Sequence, residues 1–448
     1  MEIILTPVYI FLIYLFFKRR REKLESTVLK HYHKRALWFK IIASLLFMVY
    51  YTYMTSGDTR DLYYLEGKNL FHLLLQDGSN WKYIFTAGEN MNEHLLAQTL
   101  NFGYLQSEAN FTIIRLTAIL SFLTFGQYTL IGLFFACFAF SGLWKLFMFF
   151  YKRKPELHRA FAISILFFPS VVFWSSGLMK DSLIIGALGW FTYSLDQFFT
   201  RKNLVRNFLI LSLAAYMMIT VKVYIFLAYV PLLFLYILFD KLKAIKAVLI
   251  RTFLVLFVIV ISIFSFLYAY SSFEEELGAY ALENVTSSME KLNTTLASMT
   301  AEQGAESNFN LGAQFEGTPQ SLIKVAPFAI VASFFRPFIW EASKISQLLS
   351  ALESLVLMLI TLFLFVRLGP FRMVRYYLSD PMIFFCLTFA LVFGVFIGAT
   401  TVNFGTLVRY KVPCLPFYAI ALALLYHKYN TRQYRKKSNN ESASASLN

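Results

Sequence analysis

Charged side chains are scarce in this chain. They make up 15% of its 448 residues, where soluble domains carry about 25%. Acids are scarcer than bases, 26 against 41, which leaves a net charge of +15. With 58% hydrophobic residues, the long runs lack the polar face that a surface helix needs. That excludes an ordinary soluble domain. Cysteine is nearly missing: Cys137, Cys386 and Cys414 lie in or beside apolar runs. Their spacing suits neither a metal site nor a disulfide framework. No Walker loop or dinucleotide fingerprint occurs, which argues against a nucleotide-driven pump within the chain. No G-x-S-x-G elbow accompanies Ser175 and Ser176. No clear internal repeat is present, which counts against an inverted-repeat transporter. The first apolar run, "LTPVYIFLIYLFF", is followed by "KRRREK", the reverse of a signal peptide's charge order. It reads as a short first span.

What the chain has is hydrophobic length. Several runs approach the roughly 20 residues needed to cross a bilayer. Apolar segments fall near 3–17, 37–54, 127–150, 159–174, 181–199, 207–221, 223–240, 248–270, 346–366, 381–399 and 413–427. Basic clusters at 18–40, 152–159, 201–206, 241–251, 367–375 and 428–437 alternate with them. Lys and Arg gather on the cytoplasmic side. The pattern therefore predicts an all-α, polytopic membrane protein of about 11 spans, N-terminus outside and C-terminus inside. The net charge then needs no nucleic-acid partner. Residues 111–125 and 325–340 are expected as re-entrant or interfacial segments. Residues 55–110 and 271–321 are expected as long external loops. Residues 1–36 read as a first span with a basic segment, 37–430 as the membrane domain, and 431–448 as a disordered tail.

The polar points fall on one side of this topology. "WSSGLMKDS" puts Lys180 and Asp181 at an outer turn, and "ITVKVY" does the same for Lys222. "SGDTRD" places Asp58 and Asp61 directly after a span. "SFFRPFIWEA" carries Arg336 and Glu341 around a proline, and "NFGTLVRYKVP" brings Arg409 and Lys411 before the last span. Lys180, Lys222, Arg336, Arg409 and Lys411 suit lipid-borne phosphate or pyrophosphate. Asp58, Asp61 and Glu341 are candidate general bases. Each charge taken alone also fits an interfacial anchor. His72 and His94 read as loop-surface residues, and "HYH" (His31, His33) lacks a third metal ligand. The 50 phenylalanines and 27 tyrosines read as lipid-facing surface and interfacial belt.

The strings "FPSVVFWSSGLMKDS", "FFRPFIWEA" with "ALESL", and "NFGTLVRYKVPCLPF" resemble motifs of bacterial multi-pass proteins from cell-surface polysaccharide loci. Those proteins are similar to the glycosyltransferase C superfamily and to O-antigen-polymerase-like proteins. The resemblance spans residues 50 to 425 and rests on these three short strings. It implies a bacterial plasma-membrane enzyme using a polyprenyl-phosphate- or polyprenyl-pyrophosphate-linked sugar outside the cytoplasm, with a glycan or lipid acceptor. It implies a first-loop acid, Asp58 or else Asp61, as base or metal ligand, and external arginines at Arg336 and Arg409. "GDTRD" departs from an adjacent acidic pair, so no cofactor is expected, a divalent metal being the one candidate. Membrane lipids and other polysaccharide-assembly proteins are the expected partners. Two alternatives stand beside this reading: a transporter or flippase for an anionic lipid-linked glycan, and a non-catalytic partner of an envelope assembly machine.

Overall fold

The computed structural model describes residues 2–55, 57–86, 107–242, 319–342, 345–401 and 404–445. Among these residues every regular element is a helix. The chain divides into two compact units, Met1–Phe226 and Leu227–Asn448.

The first unit opens with α1 (Glu2–Glu22) and α2 (Thr27–Val49), which runs on as a π-helical turn, Tyr50–Met54. A second π turn, Thr59–Tyr64, leads into α3 (Leu65–Gln76). Then come α4 (Glu108–Thr124) and α5 (Tyr128–Tyr151). Beyond α5 the chain breaks into short pieces: a 3-10 turn at Pro155–Leu157, α6 (His158–Phe161) and a π turn at Ala162–Leu166. Pro155 and Pro169 explain the breaks. Proline lacks an N–H and disfavours helix in the residue before it, yet suits a first helical turn. Pro169 accordingly starts α7 (Pro169–Trp174). The unit continues with α8 (Lys180–Phe199) and enters α9 (Leu204–Leu242), whose only non-helical residue is Lys222.

Glycine decides how α5 and α8 pack. A Cβ at Gly189 would overlap the Gly142 carbonyl, and one at Gly142 would overlap the Gly186 backbone. Small residues let helix backbones approach. In lipid, dispersion and packing take over from the hydrophobic effect as the cause of association. The aromatic residues fill this interior: Phe140, Phe147, Phe149 and Phe150 are at most 2% exposed.

The second unit holds α10 (Pro319–Phe335), a 3-10 turn at Ile339–Glu341, α11 (Ile345–Leu368), α12 (Pro370–Ser379), α13 (Pro381–Thr400), α14 (Phe404–Tyr410) and α15 (Leu415–Ala445). The "GVFIG" stretch of α13 repeats the glycine device. A Cβ at Gly398 would overlap the Ala329 carbonyl of α10, and one at Gly394 would strike the Phe334 ring. Tyr229 packs among Phe385, Phe389 and Phe417, with ring centroids 4.9 to 5.7 Å away.

Among the described residues five helices are long and apolar enough to cross a membrane: Thr27–Met54, Tyr128–Tyr151, Leu204–Phe239, Gln347–Leu368 and Pro381–Thr400. A sixth is added if Phe404–Tyr410 and Leu415–Gln433, bent by 65°, form one span. Eleven spans were expected, and the differences have physical causes. The segments expected at 207–221 and 223–240 fall in one candidate, Leu204–Phe239, but two helices meet there at a kink, with non-helical backbone at Lys222, where the turn between them was expected. The span expected at 159–174 is broken at Phe167 and Phe168, ahead of Pro169. Segments 3–17 and 181–199 are helical but miss the combined length and apolarity of a span. Segment 248–270 lies outside the described residues.

The expected loop at 55–110 is helical over most of its described part. Leu62, Glu66, Leu70 and Leu74 recur at helical spacing and are buried. The second loop, 271–321, lies outside the described residues but for the first turn of α10. The basic segment before residue 37 falls on the end of α1 and the start of α2, and α15 carries the tail as helix to Ala445. The expected short segment at 325–340 is the end of α10, whose apolar part is Lys324–Phe335, followed by a 3-10 turn.

Gly189→Leu is expected to force α5 and α8 apart and cost about 1–3 kcal/mol, in the range of overpacked cores. Gly78→Ala, which meets open space, is expected to leave the unfolding midpoint unchanged. Thermal unfolding of both variants in detergent checks this.

Candidate functional site

Each unit holds its own polar centre. In the first, α7 ends at Trp174 and the chain turns through "SSGLM" into α8. A helix end leaves carbonyl groups without intrahelical donors. The Ser175 and Ser176 hydroxyls donate back to the Val171 and Val172 carbonyls. Lys40, from α2, donates its Nζ to the Val172 carbonyl at 3.1 Å and to Ser175 Oγ at 2.6 Å. Lys40 is 2% exposed. Gly177 permits this closeness, since a Cβ there would overlap the Phe47 ring.

Four residues past Gly177, Asp181 lies in the first turn of α8, where a helix dipole favours an anion. Its Oδ1 accepts from Lys222 Nζ at 2.8 Å. Asp181 and Lys222 are 1% and 4% exposed. Lys222 is the residue where α9 leaves helical geometry. The pair thus joins the start of one helix to the interruption of another. Lys180, beside it, is half-buried.

In the second unit α10 ends at Phe335. Glu341 receives Arg336 Nε at 3.1 Å on both oxygens and also takes an Nη2 hydrogen bond. Its Oε2 further accepts from the Phe338 backbone at 2.8 Å. The Arg336 guanidinium lies 5.3 Å from the Phe404 ring. Lys411 occupies the break between α14 and α15 and is 1% exposed. Its Nζ reaches the Arg336 carbonyl at 3.0 Å and Ser354 Oγ at 3.1 Å. Arg409, half-buried, stands two residues earlier on α14.

The expected residues therefore separate into groups. Arg336, Glu341 and Lys411 come together, with Arg409 on the adjoining short helix. Asp58 and Asp61 are exposed, and Asp61 Oδ2 caps the Gly57 N–H at 2.9 Å. Lys222 and Lys411 were expected to face substrate at an outer surface. Both are buried, because a carboxylate and a helix-end carbonyl lie within reach. Lys40 was read as one more cytoplasmic cation. Its signal in sequence was its place: four residues past Ala36, between "LWF" and "IIASLL".

Glu66 was also missed. It is 5% exposed on α3 and accepts from Asn69 at 3.2 Å. Burial pushes its carboxyl above the ordinary range, and the Asn69 hydrogen bond partly opposes this. A shifted carboxyl of this kind marks a candidate acid or base. His33 is buried against Trp144, ring centroids 4.7 Å apart, while His31 is exposed. His72 is exposed on α3, and His94 lies outside the described residues. No group of three His, Cys, Asp or Glu gathers among the described residues.

Asp181→Asn is expected to remove the carboxylate charge that faces buried Lys222 and to cost about 3–5 kcal/mol, and adding Lys222→Met is expected to restore most of it. Unfolding of the single and double variants in detergent measures the coupling. Glu66 gives the opposite sign to a salt-bridged acid. Its raised folded pKa means that stability falls as pH climbs from the ordinary value, 4.5, through the folded one. Glu66→Gln is expected to flatten that slope in pH-dependent melting.

The chain matches no protein-family model, no curated protein and no solved structure.

Proposed function

We propose that this protein is a membrane glycosyltransferase or polysaccharide polymerase that acts on a polyprenyl-phosphate- or polyprenyl-pyrophosphate-linked sugar. The supporting observation is the cluster of Arg336, Glu341 and Lys411 among apolar helices, with Arg409 nearby. A fixed guanidinium fits phosphate oxygens, and Glu341 holds that guanidinium on its Nε–Nη2 edge. Lys411 fixes the Arg336 backbone from the other side. As the glycosyl bond to the lipid phosphate breaks, negative charge grows on the departing oxygen, and Arg336 and Arg409 stabilise it. The acceptor hydroxyl attacks the anomeric carbon and gives its proton to a carboxylate. Glu341 is the candidate for that role in the unit that holds Arg336; Asp58 and Asp61 belong to the first unit. The resemblance of three short strings to polysaccharide-locus proteins supports the same class, with the bacterial plasma membrane as its setting.

A second reading rests on a specific observation. Lys40 and Lys222 are buried charges within candidate spans. Ionisable residues inside a membrane domain mark ion or substrate pathways. A transporter or flippase for an anionic lipid-linked glycan would use them so.

The full chain, reconstituted with a polyprenyl-pyrophosphate-linked sugar and a glycan acceptor, is expected to release lipid pyrophosphate and extend the acceptor. Arg336→Ala is expected to lower that turnover about 100-fold, the scale of removing one transition-state charge contact. Because Arg336→Ala also breaks the half-buried ion pair with Glu341, turnover is compared per folded protein, and Arg336→Lys, which keeps the charge, is expected to recover part of it. Donor crossing from leaflet to leaflet without chemistry would contradict the transferase and favour the transporter.

A further inference from the structure

The connection between α11 and α13 carries a feature that neither proposed activity uses. It is α12, Pro370–Ser379, "PFRMVRYYLS". It lies between two candidate spans, Gln347–Leu368 and Pro381–Thr400, and only Gly369 separates it from the first. A helix so placed stays at the depth where those spans leave the bilayer. None of its residues is buried except the Asp380 that follows it.

Its faces are unlike one another. Phe371, Val374 and Leu378 follow i, i+3, i+7 spacing and form one apolar stripe. They are 90%, 55% and 70% exposed. Arg372 and Arg375 flank that stripe on one side, and both are exposed. On the other side Tyr377 ties the helix down: its hydroxyl meets Thr388 Oγ1 of α13 at 2.8 Å, and its ring packs on Phe384 at 5.1 Å. So α12 is fixed in orientation with its apolar stripe and its arginines turned outward.

A cleft of about 270 Å³ opens at the α11–α12 corner, lined by Val366, Arg367, Leu368, Gly369, Phe371 and Arg372. Gly369 makes the corner, with φ +76 and no neighbour within 4 Å of a built Cβ. Arg372 Nη1 donates to the Leu368 carbonyl at 3.3 Å, which holds one guanidinium at the mouth. Arg367 lies 5.8 Å from the Phe363 ring. Two guanidiniums thus stand beside Val366 and Phe371, which are 79% and 90% exposed.

We propose that this corner binds an anionic phospholipid of the bilayer. Arg367 and Arg372 take the headgroup phosphate, and Phe371, Val374 and Leu378 sink among the acyl chains. An in-plane helix with basic and apolar sectors side by side has this chemistry, and clustered Arg or Lys beside a span attracts anionic lipid. The inference depends on the membrane character of α11 and α13 and not on glycosyl transfer.

The test uses the full chain in neutral detergent, titrated with phosphatidylglycerol, phosphatidylcholine or inorganic phosphate, with bound lipid counted by native mass spectrometry. Phosphatidylglycerol is expected to bind at least five-fold tighter than phosphatidylcholine. Arg367→Gln/Arg372→Gln is expected to remove that preference, and Arg367→Lys/Arg372→Lys to keep most of it, which separates lost charge from lost fold. Arg201→Gln, at an exposed cation of the first unit, is expected to leave it intact. Equal binding of the two lipids overturns the proposal. So does an undiminished preference in the glutamine variant, or displacement of phosphatidylglycerol by inorganic phosphate at matched concentration.

Discussion

A lysine buried among apolar helices must find oxygen. In this protein it finds it where a helix stops. Lys40 donates to Val172 at the end of α7, and Lys411 donates to Arg336 just past the end of α10. Lys222 meets Asp181 in the first turn of α8. The first two lysines face the end of a helix that carries unsatisfied carbonyls and partial negative charge. The carboxylate of the third lies at the end that favours anions. Each cation therefore holds a helix terminus in place, and each terminus offsets part of the cation's desolvation. Removing either side leaves a buried polar group with fewer partners, which is the costly event in an apolar interior.

The close helix contacts serve the same arrangement. Gly142, Gly186 and Gly189 bring α5 and α8 to backbone contact, and α8 begins beside Asp181. Gly394 and Gly398 do this for α10 and α13, and α10 ends at the Arg336 cluster. Small residues thus set the depth at which helices stop, and the lysines mark those stops.

Hydrophobic length and the scarcity of charge made a helical chain with candidate spans readable, because a span needs a long apolar run. The count of spans was not readable in the same way. Lys222 looks like a turn in sequence, and the backbone does break there, but as a kink between two helices that together form one long apolar stretch. Residues 55–110 looked like a loop because charge was weighed and the spacing of Leu62, Glu66, Leu70 and Leu74 was not. Aromatics looked like lipid-facing surface, yet Phe147, Phe149, Phe150 and Phe389 are fully buried. Arg336 and Glu341 were legible as a pair because proline placed them on one short turn. Lys411 with Arg336, and Lys40 with Ser175, were not, since 75 and 135 residues separate the partners. Only packing brings them together.

The claim that buried lysines fasten helix ends can be measured directly. The full chain, in a lipid nanodisc, is treated with a membrane-permeant amine reagent, and each lysine's labelling rate is read by peptide mass spectrometry. Lys34 and Lys40 lie on the same helix, one exposed and one buried. The account predicts rapid labelling of Lys34 and strong protection of Lys40, Lys222 and Lys411. Labelling of Lys40 or Lys411 at the rate of Lys34 would contradict it.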